Sequence, residues 1–198
     1  MAMALQAPPE TTRRRFTSDE VWRMVDAGII DGNERLELID GELCLVTPSG
    51  WDHAWVVEEL GKRLMRLYGD DYTIRMQSTV GGSEFYLPEP DVGVRPARGP
   101  WDQERRHPRV DEFLLIVEVS ATSQYLDRRK VRLYAEAGTP VYWIVNIPKR
   151  CVTVHAGPNP DGTWQRITEL TEADQLIPPG VEVPIPIGDL FPTPTTSD

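Results

Sequence analysis

The sequence lacks any long apolar run. No window approaches the roughly 18 uninterrupted apolar residues of a membrane span, and Met1 to Arg15 carries basic residues with no apolar stretch of the signal-peptide kind behind them. A cytoplasmic protein with no membrane partner is expected. Cysteine is also scarce. Cys44 and Cys151 are the only two, each lies among β-prone residues, and they are not in a paired spacing, so they read as inert packing residues of a reduced compartment. There is no internal repeat and no Gly-x-Ser-x-Gly elbow, and neither cysteine has a helpful neighbourhood, which argues against a hydrolase built on Ser or Cys with His. Positive charge is in deficit. A formal charge of −10 repels a polyanion and argues against a bulk, sequence-independent coat of nucleic acid. A nuclease stays open, because local basic clusters survive at Arg13-Arg14-Arg15, at Arg105-Arg106 with Arg109, and at Arg128-Arg129-Lys130. Each alone reads as a solvated face.

What is present suits one well-formed core. With 40% hydrophobic residues in 198, a single domain over residues 16–191 is expected. Residues 1–15 and 192–198 lack an apolar period and are expected to be mobile ends that cannot repay their ordering entropy. Thr17-Ser18-Asp19-Glu20 reads as a capping box with Phe16 and Val21 as its staple, opening a helix that stops near Gly28. Alternating runs on either side of Asp40-Gly41, from Leu36 to Val46, predict a hairpin. Val57, Leu60, Leu64 and Leu67 recur at helical steps between Asp52 and Tyr68, with Gly69 as the stop. Strands are expected around Tyr72 to Val80, Glu84 to Leu87, Asp91 to Val94 and Phe113 to Val119. A helix over 124–137 and a strand from Val141 to Val145 complete a strand-helix-strand unit with a parallel pair. Val152 to His155, Trp164 to Ile167 and Val181 to Ile187 read as peripheral strands.

The chemistry gathers around one acid. Phe113-Leu114-Leu115-Ile116-Val117 places five hydrophobic residues directly before Glu118, and a carboxylate in that setting is costly to bury unless a cation or donors receive it. Lys130 is a cation in the right place. On the following helix it shares a face with Leu126, Tyr134 and Ala137, so it points inward. Asp91, after Pro90, opens the strand expected to lie beside that of Glu118. Two carboxylates with a nearby ammonium suit a hard divalent ion, Mg²⁺ or Mn²⁺, whose remaining positions are filled by water and substrate oxygens.

At these residues the sequence resembles the PD-(D/E)xK nuclease superfamily, and within it the Uma-two family of restriction-endonuclease-like proteins. The likeness covers most of residues 17–191. It runs through Leu36-Glu37-Leu38-Ile39-Asp40-Gly41-Glu42, Pro48 with His53, Glu89-Pro90-Asp91-Val92 and Val117-Glu118-Val119-Ser120. It continues through Asp127 with Lys130, Tyr134-Ala135 with Gly138, and Tyr142-Trp143-Ile144-Val145. The resemblance implies an α/β fold with a mixed sheet of the α+β kind and a restriction-endonuclease-like αβββαβ core, extended by an N-terminal helix and hairpin and by C-terminal strands. It implies Asp91 and Glu118 as acidic metal ligands and hydrolysis of nucleic-acid phosphodiesters, DNA first among them. The superfamily's lysine usually stands two residues after the second acid, where this chain has Ser120; the resemblance implies that Lys130 replaces it from the following helix. Glu37 either reaches the metal as a third ligand or faces solvent on its alternating strand.

Several residues keep a plainer reading. Lys130 could hold Glu118 in a structural ion pair while Asp91 caps a turn, giving a nuclease-fold binding or regulatory protein without catalysis. His53 reads as a hydrogen-bonding residue at a helix start rather than as a ligand, and Asp127 as a cap or as a partner for Lys130 one turn on. Tryptophans such as Trp51, Trp55 and Trp143 read as packing of the core or of a subunit interface rather than as base-stacking groups. A homodimer is expected.

Overall fold

The computed structural model describes residues 13–31, 33–46, 50–81, 83–98, 104–121 and 124–193, the side chains of 124–128 excepted. Most of the two expected mobile ends, Pro48, and the side chains of Leu126 and Asp127 therefore lie outside the described residues. Helix α1 (Ser18–Asp26) starts at the capping box: the Glu20 amide donates to Thr17 Oγ1 at 3.2 Å and the Thr17 amide donates back to Glu20 at 3.0 Å. Strands β1 (Leu36–Ile39) and β2 (Glu42–Leu45) pair antiparallel about Asp40 and Gly41. Both turn residues have positive φ, 54° and 76°, as a two-residue hairpin turn of matching twist requires.

The core follows in the expected order. Helix α2 (Trp51–Tyr68) buries Val56, Leu60 and Leu64 and ends at Gly69. Strands β3 (Tyr72–Met76), β4 (Val92–Pro96) and β5 (Leu115–Ser120) come next, then helix α3 (Gln124–Glu136) and strand β6 (Val141–Asn146). Strands β7 (Cys151–Pro158) and β8 (Trp164–Thr171) extend the sheet, whose order is β3-β4-β5-β6-β7-β8. Only β5 and β6 run parallel, joined by α3; every other neighbouring pair is antiparallel. This is the αβββαβ arrangement with its added hairpin and C-terminal strands.

Alternation along the strands gives the sheet two apolar faces. Leu115, Val117 and Val119 pack with Leu60 and Leu64 of α2, whereas Ile116 packs with Leu133 and Tyr134 of α3. A third cluster joins α1 to the hairpin through Val21, Ile30, Leu38 and Leu87. No helix among the described residues is long and apolar enough to cross a membrane.

Two expected strands differ. Residues 84–87 do not join the sheet; Leu87 exchanges both backbone hydrogen bonds with Leu38, so this segment lies against the hairpin. Of Val181 to Ile187 only Ile185–Pro186 (β10) is extended, pairing with Gln175–Leu176 (β9), before a 3₁₀ turn over Ile187–Leu190. Pro184 and Pro186 flank Ile185 and cannot donate to a ladder, which keeps the strand short. Gly93 of β4 marks a tight approach. A Cβ there would stand 2.5 Å from the buried ring of Phe113. Gly93→Ala is expected to lower unfolding free energy by about 1–3 kcal/mol, the usual cost of overpacking, measured by urea denaturation; an unchanged midpoint would show that the ring yields.

Candidate active site

Glu118 lies two residues beyond Ile116 on β5, hence on the face covered by α3. The antiparallel register of β4 and β5 pairs Val92 with Val117, so the next opposed residues are Asp91 and Glu118. Opposed residues share a face. Asp91 Oδ2 accepts a hydrogen bond from the Val119 amide at 2.8 Å, which fixes the carboxylate against the end of β5. His53, in the first turn of α2, brings Nε2 to 3.2 Å from the same carboxylate, and Gln77 Nε2 lies 3.4 Å from Oδ1. The other His53 ring nitrogen, Nδ1, is buried and has no hydrogen-bond partner among the described residues.

Lys130 enters from α3, on the inward face expected of it, and is only 7% exposed. Its ammonium donates to Glu37 Oε1 at 2.9 Å and to Glu118 Oε2 at 3.1 Å. One turn on, the Tyr134 hydroxyl donates to Glu118 Oε1 at 2.7 Å, so both Glu118 oxygens are held by α3. Glu37 is buried, which removes the solvent-facing alternative. Besides Lys130 it accepts from the Glu89 amide at 2.7 Å, tying the hairpin to the segment that leads into Asp91. Asp91, Glu118, Lys130 and Glu37 thus come from four separate segments to one place.

The charges there do not balance. Glu37 and Glu118 share one ammonium, and Asp91 adds a third carboxylate beside Glu118. Burial pushes the Glu118 carboxyl above its ordinary range; Lys130 and the Tyr134 hydroxyl pull it back, while Asp91 and Glu37 push it further up. Burial also opposes the ammonium of Lys130, but Glu118 and Glu37 more than offset this and hold it above its usual range. The ammonium therefore stays charged, and Glu118, raised chiefly by its burial, is the acid of this group that gives up its proton least readily. Burial, and then the negative charge of Glu118, raises the Tyr134 phenol, which remains a donor.

Other expected sites resolve plainly. Most described arginines of the basic clusters pair with acids of the same chain: Arg14 with Glu20, Arg15 with Asp40, Arg106 with Glu104 and Glu112, Arg109 with Asp111, and Arg129 with Glu42. Cys44 and Cys151 are free thiols whose pKa values burial raises, so neither is an activated nucleophile. Trp143 is core, whereas Trp51 and Trp55 stack on each other at 5.3 Å and stay 67% and 43% exposed. Sequence reasoning missed the bonds from His53 to Asp91 and from Tyr134 to Glu118. The four-residue step from Lys130 to Tyr134 was a usable signal for the second; the first depends on where α2 begins in space.

Comparison with known proteins agrees with this fold. A family model, Uma2, described as "Putative restriction endonuclease", matches residues 24–186, and the chain belongs to that family. The chain is also similar to a crystal structure described as "a putative nuclease belonging to DUF820" from Anabaena variabilis. The TM-score is 0.70 at 16% sequence identity, over 89% of this chain and 97% of that one, a likeness of fold. No curated protein matches.

Tyr134→Phe tests how firmly α3 holds the acid. Removing the hydroxyl leaves a buried carboxylate oxygen without its donor, and a loss of about 1–3 kcal/mol is expected in equilibrium unfolding. A variant as stable as wild type would mean that Glu118 finds another donor.

Proposed function

We propose that this protein is a metal-dependent endonuclease that hydrolyses phosphodiester bonds of nucleic acid, DNA first, with Mg²⁺ or Mn²⁺ held by Asp91 and Glu118. The observation that carries this reading is the opposed pair of carboxylates, Asp91 just before β4 and Glu118 on β5, beside a buried ammonium. The donor set suits the ion. Among the described residues no three His, Cys, Asp or Glu side chains gather as a ready-made cage, but Mg²⁺ is ordinarily bound through one or two carboxylates, with water and phosphate oxygens completing its shell. A divalent cation would also stabilise the charged form of Glu118, which burial first, and then Asp91 and Glu37, disfavour. When bound, the ion supplies a more acidic water and a positive charge to set against the dianionic phosphorane-like transition state.

The protein's own groups have separate tasks. Asp91, held by the Val119 amide and His53, keeps a fixed direction. Lys130 uses two contacts on Glu37 and Glu118 and has a third N–H for a water or a phosphate oxygen, where charge develops on cleavage. A second reading, a nuclease-fold binding protein without catalysis, draws on the internal pairing of the arginines and the charge of −10. Assembly as a homodimer is part of the proposal, motivated by the sheet's edge strands β3 and β8 and by exposed apolar residues such as Trp51, Trp55 and Ile167.

Cleavage of labelled DNA and RNA with Mg²⁺ or Mn²⁺ is the test. Wild type is expected to cleave, and Glu118→Ala or Asp91→Asn to lose about 100-fold or more. Metal should raise the wild-type melting temperature by linkage, and Asp91→Asn should abolish that rise. Binding without cleavage on every substrate would favour the second reading. In sedimentation at micromolar concentration the protein is expected as a dimer; a monomer would contradict that part.

A further inference from the structure

We infer that the Lys130 ammonium fills the seat of a second cation, so that the site takes a single divalent ion and Glu37 positions Lys130 instead of binding metal. For the first ion this rests on the metal-dependent reading above. Glu37 on β1 and Glu118 on β5 reach a common point from unrelated elements, and the group at that point is Lys130 Nζ, at 2.9 and 3.1 Å. All three side chains are at most 8% exposed, so bulk water does little to screen the charges at that point. Two buried carboxylates converging on one point repel each other unless a cation or a proton stands between them, and here the partner is the ammonium.

Both carboxylates are held independently of the lysine. Glu37 Oε1 accepts from the Glu89 amide, and Glu118 Oε1 from Tyr134. Removing only the ammonium would therefore leave two acid oxygens aimed at an emptied place. Oxygen-to-ion distances of about 2.0–2.1 Å for Mg²⁺ and about 2.3–2.6 Å for Ca²⁺ are shorter than the ammonium contacts, so a modest inward shift of the two acids would suffice. Lys130→Met keeps most of the apolar stem and deletes the charge.

The experiment counts Mn²⁺ bound to the full chain without nucleic acid, by titration calorimetry and by electron paramagnetic resonance of the free ion, with far-UV circular dichroism to check folding. One ion is expected in wild type, two in Lys130→Met, and one again in Lys130→Met combined with Glu37→Gln. Lys130→Met should melt lower than wild type without metal, and Mn²⁺ should raise its melting temperature by more than it raises that of wild type. Glu37→Gln alone should still bind one ion, which tests the role given to Glu37 even if Lys130→Met does not fold. Two ions in wild type, no extra ion in folded Lys130→Met, or loss of the ion in Glu37→Gln would each overturn the inference. No ion in wild type would sink the metal-dependent function instead; a gain of one ion in Lys130→Met would even then support the seat described here.

Discussion

Two carboxylates are buried on a single ammonium with a third beside them, and much of the molecule is arranged to make that tolerable. Glu118 holds its place in an apolar strand because α3 brings it both Lys130 and Tyr134. Glu37 ties the hairpin to α3 through Lys130 and to the segment before β4 through the Glu89 amide. Asp91 closes the ring by gripping the Val119 amide, with His53 of α2 behind it. One polar cluster therefore joins the hairpin, both core helices, β5 and the lead-in to β4. A buried ion pair adds little net stability against a well-packed apolar alternative, yet losing one partner typically costs about 3–5 kcal/mol. Such a cluster is a poor device for stability alone, and that supports a chemical use for it.

Charge elsewhere shapes how a polyanion could be met. The chain is acidic overall, and its arginine clusters are largely engaged by neighbouring carboxylates, from Arg14 with Glu20 to Arg106 with Glu112. Long-range attraction is accordingly weak. Under the proposed function, affinity for a phosphodiester would come from the site itself, where a divalent ion and the third N–H of Lys130 would offer local positive charge. Such binding should respond more to divalent metal than to a broad basic surface.

Much of this was legible before the fold was known. The Thr17–Glu20 box, the Asp40-Gly41 turn and the helical spacing from Val57 to Leu67 are local signals, and each element formed where its signal lay. The inward lysine was legible too, because helical geometry alone places Lys130 and Tyr134 on one face. Residues 84–87 misled because a short apolar stretch pairs as readily with a hairpin as with a sheet, and that choice rests on Leu38, far away in sequence. Residues 181–187 misled because β-prone side chains hid two prolines that cannot complete a ladder. His53 and Glu37 were ambiguous for a similar reason: each meets its partner only through tertiary placement, and no local pattern distinguishes a buried acid beside two leucines from an exposed one.

The most direct test of a single metal seat beside a lysine-filled one is crystallography of the wild-type protein soaked in Mn²⁺, with anomalous difference maps collected at the manganese edge. One peak between Asp91 and Glu118 is expected, with Lys130 still bridging Glu37 and Glu118. No peak at that pair, or a peak between Glu37 and Glu118 with Lys130 displaced, would contradict it.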